Sequence, residues 1–111
     1  MAAYISFQPS DFFSPKIYTG TGATNALTGV GFQPDFTWIK DRDGGNSHMW
    51  TDAVRGSTKV IESNGTAAEA TQAAGVTSYD SDGFTLGTYS GMNSNTVDFV
   101  SWNWKMGTTS G

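Results

Sequence analysis

The chain has 111 residues and a mass of 11.8 kDa, enough for one domain with one hydrophobic core. Ten acidic and six basic residues give a net charge of −4, and the sequence lacks the basic cluster that nucleic-acid binding requires. No apolar run approaches the ~20 residues of a membrane-spanning helix, and the lack of cysteine excludes disulfides, thiolate catalysis and Cys-ligated zinc. We therefore expect no nucleic-acid partner and no membrane insertion.

The composition predicts an all-β fold. Fourteen glycines accompany seven Phe, four Trp and four Tyr residues, while only 14% of the chain is charged. Short apolar segments recur about every ten residues, separated by turns rich in Gly, Asp and Asn, which is typical of antiparallel sandwiches. We predict a β-sandwich or jelly roll over residues 16–106 with at most one short helix, preceded by an arm (1–15) and followed by a linker-like tail (107–111).

Residues 1–15 are predicted to form an extended N-terminal arm. Pro9 and Pro15 restrict strand pairing within it. Its apolar side chains are not expected to remain in water, so they should pack on their own domain or on a neighbouring subunit. The candidate subunit-contact residues are Tyr4, Ile5, Phe7, Phe12 and Phe13.

Two acidic turns offer oxygen ligands of the kind that calcium prefers. Asp41, Asp43 and Asn46 follow a predicted strand over residues 36–40, and Asp80 and Asp82 precede a later one. Neither turn has the glutamate that closes an EF-hand loop, and Asp and Gly are common turn formers without any metal. Calcium is therefore the one cofactor considered, and turn formation is the favoured interpretation.

The sequence offers little for catalysis. Ser47, His48 and Asp52 supply the residue types of a hydrolase triad, but no strand–turn–helix motif presents the serine. Adjacent residues of a strand also point to opposite faces. We predict no catalytic residues and no enzyme activity.

Aromatic residues beside polar loops are candidates for sugar binding, because ring faces pack on the apolar faces of sugars. The candidates are Trp50 beside the first acidic turn, with Asp43 and Asn46, and Tyr89 in a Gly-rich loop. In a sandwich of this size most tryptophans belong to the core.

Three features lie between the predicted strands of the middle of the chain. Asp52 and Arg55, three residues apart, are predicted to form a structural ion pair. Asn64 begins an N-glycosylation sequon, which matters only in a host with that machinery. Residues 66–74 begin with the spacing of a capping box and are rich in alanine, so a short surface helix is predicted there.

The last and longest apolar segment, residues 97–104, is predicted to be a central strand. Large side chains alternate onto both of its faces, as in strands that are covered on two sides. We interpret Trp102 and Trp104 as core residues on this basis.

Several motifs occur in an order that resembles a known family of repeats. They are Tyr18–Gly22, Gly29–Lys40, Asp52–Gly56, Asn64–Glu69, Asp80–Leu86 and Trp102–Lys105. Together they resemble a roughly hundred-residue repeat of tail-fibre-like and other virion-associated proteins of marine and freshwater bacteriophages. The resemblance covers residues 16–106 and implies a lectin-like, concanavalin-like β-sandwich of unknown function, with no catalytic residues to carry over.

These observations favour a non-enzymatic structural subunit of an extracellular fibre or virion appendage. Such a subunit would form a homo-oligomer or filament in which the N-terminal arm packs on a neighbouring copy, and its loops would be candidates for binding cell-surface glycans. The alternative is a monomeric carbohydrate-binding, receptor-recognition module cropped from a longer tail fibre. The expected location is extracellular or on the virion surface.

Overall fold

A computed structural model describes residues 8–106 as two antiparallel sheets. The larger sheet has the strand order β1-β9-β3-β4-β5-β6, and the smaller one has the order β2-β8-β7. This arrangement confirms the predicted all-β sandwich. The strands are β1 (Phe13–Thr19), β2 (Asn25–Leu27), β3 (Phe36–Asp41), β4 (Met49–Asp52), β5 (Gly56–Glu62), β6 (Ala70–Thr71), β7 (Val76–Asp80), β8 (Gly83–Leu86) and β9 (Asp98–Trp104).

Helical structure within the described residues is limited to a 3-10 turn at Pro9–Asp11 and one helical turn, α1, at Ser90–Asn93. Neither has a length or composition that could cross a membrane. Tyr4, Ile5 and Phe7 of the predicted arm, and the predicted tail over 107–111, lie outside the described part of the chain.

The hydrophobic core lies between the two sheets. Alternation along β9 places Phe99 inside, fully buried, while Trp102 and Trp104 point to the opposite face. From the smaller sheet Phe84 and Leu86 meet this inner face and are also fully buried. The remaining buried core residues are Tyr18, Leu27, Ile39, Met49, Val60, Val76 and Met92.

Buried polar side chains fix the register of the edge strand β1. Asn103 on β9 accepts a hydrogen bond from Thr37 Oγ1 (3.1 Å) and donates from Nδ2 to the Ser14 carbonyl (3.0 Å). Its Nδ2 also donates to Ser101 Oγ (3.1 Å). Because a buried amide must satisfy both its donors and its acceptor, a one-residue shift of β1 would cost Asn103 its bond to the Ser14 carbonyl.

Asn93 joins three loops at one end of the sandwich. Its side chain is fully buried; Oδ1 accepts from the Thr21 backbone N–H (2.9 Å), and Nδ2 donates to the carbonyls of Ala23 (2.6 Å) and Gly87 (2.8 Å). The β1–β2 loop is thereby tied to the segment that connects β8 to β9.

The helix predicted over residues 66–74 is wrong, since the regular structure in this segment is the short strand β6 at Ala70–Thr71, which a turn follows. A two-turn helix is marginal by itself, and pairing with β5 competes successfully. Val60 pairs with Ala70, and the Gln72 backbone N–H donates to the Thr58 carbonyl (2.8 Å).

Two further expectations differ from the structure. Phe13 to Pro15, assigned to the arm, form the first half of β1 and pair with β9. Trp102 and Trp104, interpreted as core, are only half-buried and lie on the outer face of the larger sheet. The sequence pattern correctly placed them on one face of a central strand, but not on the side that faces the second sheet.

Candidate functional site

The most distinctive surface is the outer face of the larger sheet, which carries a continuous group of aromatic side chains. Strands β1, β9, β3 and β4 are neighbours in that order, and residues paired across antiparallel strands share a face. We call this group the aromatic layer; it consists of Phe13, Trp104, Trp102, Phe36, Trp38 and Trp50.

Trp38 is at the centre of the aromatic layer. It pairs with Trp102 on one side and Trp50 on the other, with ring centroids 5.3 and 5.5 Å apart and edge-to-face geometry. Phe36 approaches Trp104 (5.2 Å) and Trp50 (5.9 Å) in the next row. Such tilted aromatic pairs contribute about 0.5–1.5 kcal/mol each beyond area burial, so the layer is a mutually supported unit.

The layer arises from one sequence pattern used on two adjacent strands. Phe36 and Trp38 on β3 are two residues apart, as are Trp102 and Trp104 on β9, and a period of two places each pair on one face. Antiparallel registration then sets Phe36 against Trp104 and Trp38 against Trp102. This pattern was available in the sequence, but nothing in a single strand indicates which face the second sheet covers.

The layer is most exposed along the edge strand β1. Phe13, whose ring centroid is 4.9 Å from that of Trp104, is 37% exposed, and Ile17 on the same face is 63% exposed. Pro15 lies between them and is also exposed. Within residues 8–106 no strand or helix packs over this face, because the second sheet lies on the other side.

Two tryptophans of the layer differ in how their indole N–H is satisfied. Trp38 Nε1 donates to His48 Nδ1 (2.9 Å), which fixes the orientation of both rings. Trp50 Nε1 is shielded from solvent and has no acceptor among the described residues. A buried donor without an acceptor costs about 1–3 kcal/mol, so the indole of Trp50 is less well satisfied than that of Trp38.

A charged network borders the layer at the Trp50 end. Arg55 donates to both Asp52 oxygens, from its backbone N–H (2.7 Å) and from Nε (2.6 Å), and also pairs with Glu69 (3.0 Å). Burial raises the pKa of Asp52, but these bonds and the guanidinium charge outweigh it and hold the pKa below its ordinary value. The structure thus contains the ion pair predicted between Asp52 and Arg55, and Arg55 also donates to the Trp50 carbonyl (3.2 Å).

The first acidic turn is closed by its own side chains. The Asp41 carboxylate contacts Lys40 Nζ and accepts from Asn46 Nδ2 (2.8 Å), and burial, which raises the pKa of Asp41, is outweighed by these bonds. Asp43 accepts from the Asp98 backbone N–H (2.9 Å).

The carboxylates of the second acidic turn are likewise hydrogen-bonded to groups of the protein. Asp80 accepts hydrogen bonds from Ser78 and Thr85. Asp82 accepts from the backbone N–H groups of Gly29 (2.9 Å) and Gly31 (2.7 Å), which lower its pKa. No group of three or more acidic or histidine side chains suited to a metal occurs in the described part of the chain.

The candidate sugar-binding residues lie in different parts of the molecule. Trp50 belongs to the aromatic layer, whereas Tyr89 packs against the core between the sheets. A cavity of about 50 Å³ lined by Tyr89, Met49 and Val60 lies beside it, which is far below the ~300 Å³ of small-molecule sites. Asp43 and Asn46 remain in the β3–β4 turn, apart from both.

His48 and Asp52, considered for a hydrolase triad, make other hydrogen bonds. His48 accepts from Trp38, and its backbone N–H donates to Asn64 Oδ1 (3.0 Å). Asp52 binds Arg55. Asn64 of the sequon lies in an exposed turn after β5, where its side chain joins the ends of two strands.

One known family model matches most of the chain. Residues 8–111 match the model of the family described as Domain of unknown function (DUF7483). The chain belongs to this family. No curated protein and no solved structure matches it significantly.

Within the family's extent, the match includes every strand of the sandwich and every member of the aromatic layer. The family description names no activity.

Proposed function

We propose that this member of the DUF7483 family is a non-enzymatic structural subunit that assembles with copies of itself. The N-terminal arm of one copy packs on the aromatic layer of a neighbour, and the assembly is an extracellular fibre or an appendage of a virion. The aromatic layer is the observation that supports this proposal.

The chemistry of the layer favours a protein partner, because Trp, Tyr and Phe are enriched in protein interfaces. Trp38 stands edge-to-face to Trp50 and to Trp102, so the rings of these tryptophans do not lie in one plane. A sugar that stacks on several rings at once would need them to form a flat platform.

The edge of the larger sheet favours contact through the face over strand addition. Pro15 in β1 has no N–H, so it removes a donor from the sheet edge, and proline protects edge strands from pairing with other chains. Ile17, Phe13 and the layer behind them are open on the outer face.

The test is the molar mass of the full chain, measured by light scattering across a range of concentrations and accompanied by negative-stain microscopy. We expect oligomers or filaments for the unmodified chain, and monomers both for Trp102→Ser, which opens the layer, and for Tyr4→Ser/Ile5→Ser/Phe7→Ser in the arm. Val54→Ser is the matched control, because Val54 is 95% exposed in the turn between β4 and β5 and lies outside the layer. Assembly that survives both the layer and the arm substitutions would overturn the proposal.

Carbohydrate binding is the second candidate function. The half-buried indoles beside the Asp52–Arg55 pair support it, since aromatic rings with adjacent hydrogen-bonding groups are the usual elements of sugar sites. The experiment is a glycan array probed with the folded chain and with Trp50→Ala. Binding of a glycan class that Trp50→Ala abolishes would establish this function, and binding to none would exclude it for the glycans displayed.

A further inference from the structure

We propose that His48 is a pH-sensitive switch for the aromatic layer: neutral His48 holds the ring of Trp38, and protonation of His48 releases this ring and weakens assembly through the layer. The release of Trp38 depends only on contacts within one chain. Its effect on assembly rests on the proposed function and adds a control by pH.

His48 lies at one end of the aromatic layer, immediately before β4. The register of β3 with β4 pairs Ile39 with Met49, so its extension sets Lys40 opposite His48. Met49 is buried in the core, and alternation therefore directs His48 to the outer face. There its ring approaches that of Trp38, with 5.7 Å between the centroids.

The hydrogen bond between these two rings requires a neutral His48. An indole N–H is a donor only, and Trp38 Nε1 donates to His48 Nδ1 (2.9 Å). Nδ1 is thus the ring nitrogen without a hydrogen, and neutral His48 carries its hydrogen on Nε2. Protonation adds a hydrogen to Nδ1, so that two N–H donors face each other. The bond is then lost and the rings must separate.

On the β3 side, the charged groups close to His48 do not compensate a positive charge on its ring. Lys40 donates from Nζ to the Asp41 carbonyl (2.9 Å) and contacts the Asp41 carboxylate, which is buried on the inner face. Arg42 and Asp43 follow in an exposed turn, where water screens their charges. Protonated His48 would therefore place a second cation on the outer face beside Lys40.

The acidic groups of β4 and β5 are also engaged or lie on the inner side. Asp52 on β4 is bound by Arg55. Glu62 on β5 pairs with the inward-pointing Met49 and lines the small cavity on that side of the sheet. None of the ion pairs of residues 8–106 includes His48. An imidazolium at this position thus lacks a carboxylate partner among these residues, and the ring is released instead of being held in a new contact.

Trp38 transmits the change at His48 to the rest of the layer. Its ring contacts Trp50 and Trp102 edge-to-face, with centroids 5.5 and 5.3 Å apart. Such contacts depend on the angle between the rings, so a rotation of Trp38 disturbs both of them. A surface that a second copy recognises through these rings is therefore altered at its centre.

The predicted effect of acid on assembly is opposite to the effect of net charge. The chain has a net charge of −4 and an isoelectric point of about 4.5. Lowering the pH towards the isoelectric point reduces repulsion between copies and promotes association. The switch predicts weaker association over the same range, so the direction of the pH effect separates the two causes.

The release of Trp38 is tested in the full chain at a concentration where sedimentation shows monomers. The chain has one histidine, so labelling histidine with ¹⁵N gives one pair of ring nitrogen signals. We expect a hydrogen on Nε2 alone at pH 8 and on both nitrogens at pH 5, the range in which histidine ordinarily changes charge. Tryptophan emission, which comes entirely from the layer, should shift to the red over the same change.

Two variants separate the hydrogen bond from other effects of pH. His48→Gln retains an oxygen that accepts from Trp38 but does not titrate, so its emission should not change between pH 8 and pH 5. Trp38→Phe retains the titrating histidine but removes the N–H donor, and it should also lose the red shift. Val54→Ser, outside the layer, should respond like the native chain. Circular dichroism checks that each variant keeps its β structure.

Assembly is then measured by light scattering at higher concentration. For the native chain we expect self-association about tenfold weaker at pH 5 than at pH 8, equivalent to about 1.4 kcal/mol; His48→Gln should show no such weakening. A native emission that is independent of pH, or a shift equally large in His48→Gln, would overturn the switch.

The two claims fail in different ways. The emission shift without assembly of the native chain at either pH would support the release of Trp38 and contradict the proposed function. The emission shift together with equal or stronger assembly at pH 5 would overturn the control of assembly by His48 while leaving assembly itself intact.

Discussion

Replacing Asn93 by leucine should destabilise the sandwich through unpaired hydrogen-bonding groups and not through lost volume, since leucine has the same branching and is not smaller than asparagine. Asn93 is 0% exposed and makes bonds with Thr21, Ala23, Asn25 and Gly87. Each buried partner left unsatisfied costs about 1–3 kcal/mol. Water can replace Asn93 at the exposed Thr21 and Ala23. The loss of stability therefore comes mainly from the half-buried partners Asn25 and Gly87.

We therefore expect Asn93→Leu to lower the free energy of unfolding by about 3 kcal/mol, a loss that a typical domain with 5–15 kcal/mol of stability survives. The assay is urea denaturation followed by circular dichroism, with midpoint and slope fitted together. Asn95→Leu is the matched control: Asn95 is exposed two residues along the chain, and a change within about 0.5 kcal/mol is expected. Equal stability of the two variants would refute the assignment of Asn93 as the link between the loops.

Three further predictions concern the core, one close backbone contact and acid stability. Phe84→Ala should cost about 3–5 kcal/mol in urea denaturation, because the ring is fully buried, and a loss below about 1 kcal/mol would show that the site is not close-packed. Gly83→Ala should lower the melting temperature clearly, since a Cβ there would lie 1.9 Å from the Leu27 carbonyl oxygen; an unchanged melting temperature would contradict this backbone contact. The pKa of Asp82 is lowered in the folded state. Its contribution to stability is therefore present above the unfolded-state pKa of about 3.9 and is lost as pH falls through the folded-state pKa. Urea midpoints measured from pH 5 to about 2 should therefore fall more steeply for the native chain than for Asp82→Asn, and equal slopes would count against this role.

The fold class and the strand pattern could be predicted from the sequence because alternation and turn chemistry are local signals. The segment 97–104 shows this: its period of two and its large side chains on both faces predicted a central strand, and β9 does lie between β1 and β3. The error at residues 66–74 has a physical cause. Helix propensity there was real but weak, and pairing with β5, a contact distant in sequence, outweighed it.

The candidate site was harder to predict because it depends on which sheet face remains uncovered. Trp102 and Trp104 are large apolar residues of the kind that fill cores. They lie outside the core only because the second sheet packs on the other face of β9. The two candidate sugar-binding aromatics, Trp50 and Tyr89, lie apart, since Trp50 is on the outer face and Tyr89 packs on the inner core. The ion pair of Asp52 and Arg55 was predictable, because a three-residue spacing around a turn brings these groups together without distant contacts.

The most direct test of the central claim, that the arm of one copy packs on the aromatic layer of another, is a mixing experiment. The arm variant Tyr4→Ser/Ile5→Ser/Phe7→Ser keeps an intact layer, and Trp102→Ser keeps an intact arm. Each should be monomeric alone by light scattering, and an equimolar mixture should give the mass of a one-to-one dimer. A mixture that remains monomeric while the unmodified chain assembles would contradict the account.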